Sequence, residues 1–171
     1  MEELSHFSTS GRARMVDISE KTATHRIAIA SGQLRMRPET LSRIQTGKIA
    51  KGDVLTVADV AAVMAAKRTA ELIPMCHTLP LTGVEISFKE ITAQDSQGYV
   101  ALTVLATVKC GGQTGVEMEA LCAASMALLT VYDMCKSIDK GMRIEQIQLE
   151  EKHGGKSGVW LREAAKTEEK K

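Results

Sequence analysis

The chain reads as an α+β sandwich in the order β-α-β-β-α-β, with an antiparallel sheet, its helices on one face, and one extra short helix. Three observations carry this reading. Apolar residues alternate with smaller or polar ones in four separate stretches, as half-buried strands require. The two middle stretches are joined by the short polar connection 93–98, which makes them a hairpin. A long run rich in Ala, Leu and Met then follows a glycine pair, at helical length.

Residues 1–14 are polar and form a loose arm. In 24–36, Ile27, Ile29, Leu34 and Met36 alternate with smaller or polar residues, interrupted by Gly32. Pro38 suits the first turn of a short helix over 38–44, which Gly47 ends. Asp53 is the expected N-cap of the next helix. Its Val57, Val60, Ala61 and Met64 follow helical spacing, and it must stop before Pro74. Strands follow over 84–91 and 99–109, and Gly111-Gly112 ends the second. The long helix spans 116–135 and is nearly uncharged between Glu119 and Asp133. A helix apolar all round is buried on most faces. In a domain this small, that is easiest if part of it packs on another subunit. Gly141 breaks the chain, and 142–149 alternates as the last strand. Gly154-Gly155-Lys156-Ser157-Gly158 reads as flexible, and 166–171 as a disordered charge run.

A length of 171 residues and 18.5 kDa suffices for one domain. Apolar residues make up 44% and charged residues 25%, which excludes a wholly disordered or collagen-like chain. No apolar run approaches the ~20 residues that cross a bilayer, so no membrane partner is expected. The start, Met1-Glu2-Glu3-Leu4-Ser5-His6, lacks the basic and apolar regions of a secretory signal. With 22 basic and 21 acidic residues the net charge is +1, which argues against a nucleic-acid coat. Any anion site must be a local cluster. Aromatics are 3%, so nine methionines and many alanines fill the core. Cys76, Cys110, Cys122 and Cys135 include no C-x-x-C pair, and a chain of this size needs no disulfide staples. A reducing, cytoplasmic location is the expectation.

Four constellations could carry chemistry. Cys76-His77 lies between Pro74 and Pro80, which hold the segment extended. A packed loop with a buried Cys explains it equally, and no second Cys/His cluster at ligand spacing supports a metal. Gly111-Gly112-Gln113-Thr114-Gly115 precedes the long helix, so an anion could approach backbone amides there. It is no P-loop, because no Lys-Ser/Thr ends it. Glu117 and Glu119 in the first turn also suit the helix dipole alone. They point different ways, so at most one should serve a given site. Asp133 and Lys136 lie three apart near the helix end and can pair, in partly buried surroundings after the uncharged stretch. Arg26, Lys51, Lys67, Arg68 and Lys152 are ordinary surface charges singly, but would form a phosphate pocket if they converge. Glu119 and Asp133 are fourteen residues apart on one helix, hence ~21 Å along its axis. If both ends are functional, the simplest arrangement is a site shared between subunits of a homo-oligomer.

Four blocks occur in a telling order: Leu72-Ile73-Pro74-Met75-Cys76-His77, Thr114-Gly115-Val116-Glu117-Met118-Glu119-Ala120-Leu121, Tyr132-Asp133-Met134-Cys135-Lys136 and Gly154-Gly155-Lys156-Ser157-Gly158. Met15-Val16-Asp17-Ile18 and Lys51-Gly52-Asp53 accompany them. In these blocks the chain resembles the molybdenum cofactor biosynthesis protein C family, the cyclic pyranopterin monophosphate synthases. The resemblance covers 15–158, and it is the combination of blocks that makes it specific.

The resemblance implies a ferredoxin-like subunit in a homohexamer, a trimer of dimers with sites shared between subunits. It implies conversion of 3',8-cyclo-7,8-dihydroguanosine 5'-triphosphate to cyclic pyranopterin monophosphate with release of pyrophosphate, in molybdopterin biosynthesis, without metal or cofactor. Carried over by position, Asp133 is the active-site acid, and Lys51 and Lys136 take acid-base roles, with acid and base unassigned between them. Met75, Cys76, His77, Met118 and Glu119 match substrate-contacting segments. Arg26, Lys67 and Lys152 match basic residues suited to the triphosphate. The implied organisation is an arm over 1–14, one catalytic domain over 15–158 and a charged flexible tail over 159–171. Two departures stand out: Thr78 replaces the usual Pro after Cys-His, and Gln113 the usual Lys before Thr114-Gly115.

Two other classes compete. A ferredoxin-like RNA-binding module stacks bases on sheet aromatics, but the central strands hold only Phe88 and Tyr99. A purely structural oligomer would not need Lys51, Asp133 and Lys136 to converge.

Overall fold

The computed structural model describes residues 12–47, 49, 52–156 and 158–163. Lys51, most of the 1–14 arm and residues 164–171 lie outside the described residues. The elements are β1 (Thr24–Met36), α1 (Pro38–Gln45), α2 (Val54–Lys67), α3 (Thr69–Leu72), β2 (Leu81–Ile91), β3 (Val100–Gly112), α4 (Glu117–Cys135), β4 (Arg143–His153) and β5 (Trp160–Leu161). The sheet order is β2-β3-β1-β4-β5, with every neighbouring pair antiparallel. β3 therefore lies between β1 and β2, and β1 between β3 and β4. This is the split β-α-β arrangement of a ferredoxin-like sandwich, with helices on one face. The short edge strand β5 is an addition that the alternation in the sequence did not reveal.

Strand period decides what the sheet buries. Ala28, Ala30, Leu34 and Met36 of β1 and Leu102, Val104, Ala106, Val108 and Cys110 of β3 face the helices and are buried. Against them lie Ala120, Ala123, Ala124, Ala127, Leu128 and Val131 of α4. Gly32 has a packing reason: a Cβ there would stand 2.8 Å from Leu128 Cδ1, so the missing side chain lets α4 settle on the sheet.

The second helix corrects the sequence reading. Asp53 does cap it, accepting from the Thr56 N–H at 3.1 Å and the Thr56 hydroxyl at 2.7 Å. Its buried face, however, is Val54, Ala58, Ala62, Ala65 and Ala66, while Val57, Val60 and Met64 are 44%, 60% and 41% exposed. Small side chains let α2 approach α4 closely and turn the larger apolar residues outward. The expectation that no apolar run approaches bilayer length also needs correcting. α4 has 19 residues and is long and apolar enough by that test, yet half of its most apolar stretch is buried within the fold. It is the core helix of the sandwich.

Candidate active site

Two adjoining cavities open where the β3–α4 connection meets the segment before β1. The first, of about 530 Å³, is walled by Ile73, Met75, Cys76, His77 and Leu79 from the stretch between α3 and β2. Val16, Ile18 and Lys21 close one side, and Thr114, Gly115, Glu117, Met118 and Glu119 the other. The second, of about 1050 Å³, shares Lys21, Thr114, Gly115 and Glu117 with the first. It adds Arg26, Lys152, Gly155 and Lys156, along with Asp17 and Glu20. One chamber is thus mainly apolar with a few polar groups, and its neighbour is rich in cations.

Local chemistry positions each wall. β3 ends on Gly112, and the turn 113–115 delivers the chain into α4. A Cβ on Gly115 would lie 1.8 Å from Glu117 Oε2, so only glycine leaves room for that carboxylate to fold back over the turn. Glu117 then reaches Lys152 on β4, Oε1 to Nζ 2.9 Å, with both side chains about 70% shielded. Glu117 and Glu119 consequently line the same chamber, contrary to the expectation that only one of them could. Arg26 Nε donates to the Gly112 carbonyl at 2.8 Å and Nη2 to the Gln113 carbonyl at 3.1 Å. His77 Nε2 stands 2.8 Å from the Val16 carbonyl oxygen. A carbonyl only accepts, so Nε2 carries the proton, and in the neutral ring Nδ1 is the acceptor.

Glu119 is the unusual group electrostatically. It is 4% exposed, and burial, with Glu117 nearby, pushes its carboxyl up to about 7. Burial also raises the Cys76 thiol, helped by Glu119 and Cys122, so Cys76 is a neutral wall rather than a thiolate. Asp17 is held below the usual carboxylate range by hydrogen bonds from the Ser19 hydroxyl and N–H.

The fold brings together Met75, Cys76, His77, Met118 and Glu119 in one chamber and Arg26 and Lys152 in the other. It does not bring Lys67, Asp133 or Lys136 to either chamber within one protomer. Asp133 and Lys136 do pair, at 2.6 Å, but their side chains are 56% and 53% exposed, not partly buried. The hydrogen bond and charge of Asp133 raise the Lys136 ammonium above its usual value. Lys67 is exposed in the last turn of α2. Sequence reasoning did not select Lys21, Glu117 or Lys156 as site residues. Lys156 lay inside a quoted block and Lys21 just beyond one. Glu117 is paired across 35 residues, a relation no spacing reveals. The glycine pair 154–155 was read as flexible but is seated against β1. Among the described residues no group of three His, Cys, Asp or Glu side chains is placed to hold a metal ion.

Comparison with known proteins identifies the lineage. The chain is 56% identical over 163 residues to the cyclic pyranopterin monophosphate synthase of Thermomicrobium roseum, covering 95% of each chain. It is 58% identical over 161 residues to that of Brevibacillus brevis, covering 94% of this chain and 97% of the other. To that of Listeria monocytogenes serovar 1/2a it is 55% identical over 163 residues, with 95% and 98% covered. The model of the MoaC family matches residues 15–155, a span holding both chambers except Lys156, and the chain belongs to that family.

Proposed function

We propose that this chain is a phosphorus-oxygen lyase that converts 3',8-cyclo-7,8-dihydroguanosine 5'-triphosphate to cyclic pyranopterin monophosphate and pyrophosphate. The observation that carries the reading is the join between a mainly apolar chamber and a cationic one. The first suits a reduced heterocycle, the second a phosphate chain. Glu119, with its pKa at about 7, can take or give a proton near neutrality, as opening and re-closing a ring requires. Forming a cyclic phosphate from a triphosphate needs a substrate hydroxyl to attack the α-phosphorus while its bond to the leaving pyrophosphate oxygen breaks. Charge grows on that leaving oxygen, and Arg26 and Lys21 are cations suited to stabilising it, with Lys152 held beside them by Glu117.

The remaining acid-base groups come from a second copy in this reading. Asp133 and Lys136 sit ~21 Å along α4 from Glu119, so they complete the site of a neighbouring subunit. Lys67, exposed in the last turn of α2, completes it likewise, and Lys51 keeps the acid-base role that the resemblance gives it. The outward Val57, Val60 and Met64 of α2 and Leu129 of α4 favour such an assembly, a homohexamer built as a trimer of dimers. Incubation with the cyclic triphosphate tests the function. The expected result is stoichiometric pyranopterin product and pyrophosphate, whereas unchanged substrate would reject it.

A further inference from the structure

The cationic chamber ends on a turn with a specific relation to Arg26. After β4, Gly154 and Gly155 both take left-handed backbone, with φ of 96° and 74°. A Cβ on Gly154 would lie 2.3 Å from the His25 carbonyl oxygen, and one on Gly155 2.3 Å from Arg26 Nη1. Two residues without side chains are what allow the turn to lie directly on β1 at Arg26. The Gly158 N–H donates to the Gly155 carbonyl at 3.2 Å and closes the turn.

Arg26 is held from the other side by the carbonyls of Gly112 and Gln113. Its guanidinium is therefore clamped between the β3–α4 connection and the 154–155 turn, and these bonds use only part of its donors. Lys156, the next residue, lines the same chamber and forms no ion pair among the described residues. Lys152 differs, because Glu117 already neutralises it.

We propose that the Gly155-Lys156 step is a phosphate-binding element: Gly155 positions the Arg26 guanidinium, and Lys156 is a further phosphate-binding cation of the chamber. The proposal rests on the triphosphate reading above and adds to it two residues outside the inherited set. A planar fork fixed in direction suits two phosphate oxygens, and a lysine on an exposed turn adds a mobile point charge. A methyl group at position 155 would displace Nη1, and the hydrogen bonds to Gly112 and Gln113 would have to lengthen with it.

Calorimetric titration of the full chain with inorganic pyrophosphate, at fixed ionic strength and with oligomer size checked, tests this. Gly155→Ala and Lys156→Ala should each weaken binding about 10-fold, the loss of one charge-assisted contact. Lys156→Arg should restore it. Gly158→Ala shares the left-handed backbone, φ 63°, but a Cβ there meets nothing within 4 Å, so affinity should stay within about twofold. Adding Gly155→Ala to Arg26→Ala should cost nothing further, while adding Lys156→Ala should cost about 10-fold more. With the cyclic triphosphate, both single variants should raise KM more than they lower kcat. Unchanged affinity in either single variant would overturn the proposal. So would an equal loss in Gly158→Ala, or independent losses from Arg26 and Gly155. The expected pattern in a chain that does not turn over the cyclic triphosphate would uphold the phosphate element and refute the proposed activity.

Discussion

Replacing Glu119 by Gln should change how stability responds to pH, in a calculable direction. The carboxyl is 4% exposed and its pKa rises from 4.5 to about 7 on folding, chiefly because burial disfavours the charged form. Between those values the native state holds a proton that the unfolded chain has lost. The contribution is therefore fully present below about 4.5 and is lost as pH rises through about 7, above which the penalty is constant. At 1.36 kcal/mol per unit, the wild-type chain forgoes about 3 kcal/mol at pH 8 relative to pH 4.5 through this one group. Gln matches the protonated shape and does not titrate. Relative to the wild type, the variant should gain about 2.5 kcal/mol between pH 5 and pH 8, or ~5–10 °C in Tm. The assay is thermal and denaturant unfolding of both proteins from pH 5 to 8.5 at one protomer concentration, so that any self-association contributes equally to both. Other titrating groups cancel in the difference. Parallel pH profiles would show that Glu119 does not ionise in this window, and would remove the basis for its proton-transfer role.

Lys136→Ala should abolish turnover with the fold intact, because the side chain is 53% exposed. Asp133→Asn should do nearly the same, and the double variant should be little worse than either, since a group acting as a unit is lost once; multiplicative losses would mean separate roles. Lys67→Ala should weaken substrate binding by about 10- to 100-fold, one charge-assisted contact, with little change in Tm. A mixed oligomer of Lys136→Ala and Glu119→Ala chains should regain activity if sites are shared, and activity no greater than that of either variant alone would place each site within one subunit. Asp139→Asn should destabilise the chain by about 1–3 kcal/mol. Burial alone would raise the Asp139 pKa, but hydrogen bonds from the Arg37 N–H and the Thr40 hydroxyl, with the Arg37 charge, hold it below 3.8. That stabilisation is present above pH 3.8 and is lost as pH falls from there through the lowered native pKa, so acid unfolding of the variant should lose this component.

Much of the fold was legible because it depends on short-range rules. Alternation located β1, β2, β3 and β4, Asp53 announced a helix start, and Gly111-Gly112 marked the approach to α4. The motif blocks were enough to place the chain in its family and to nominate Met75, Cys76, His77, Met118, Glu119, Arg26 and Lys152, which the fold then gathers into two adjoining chambers. What the linear order could not decide was orientation and long-range pairing. Helical spacing is the same for a buried and an outward apolar stripe, so only the close approach of α2 to α4 shows that alanines face in and Val57, Val60 and Met64 face out. The Glu117–Lys152 pair joins residues 35 apart, because β4 runs beside β1 while α4 begins at the end of β3. The glycines at 154 and 155 look like any flexible run until β1 is seen beneath them, where a side chain would strike His25 or Arg26. Residue identity determined the local conformations and the chemistry available. Tertiary contact decided which carboxylate loses its water and which cation is already paired with a carboxylate, because desolvation and Coulomb interaction depend on distances through space.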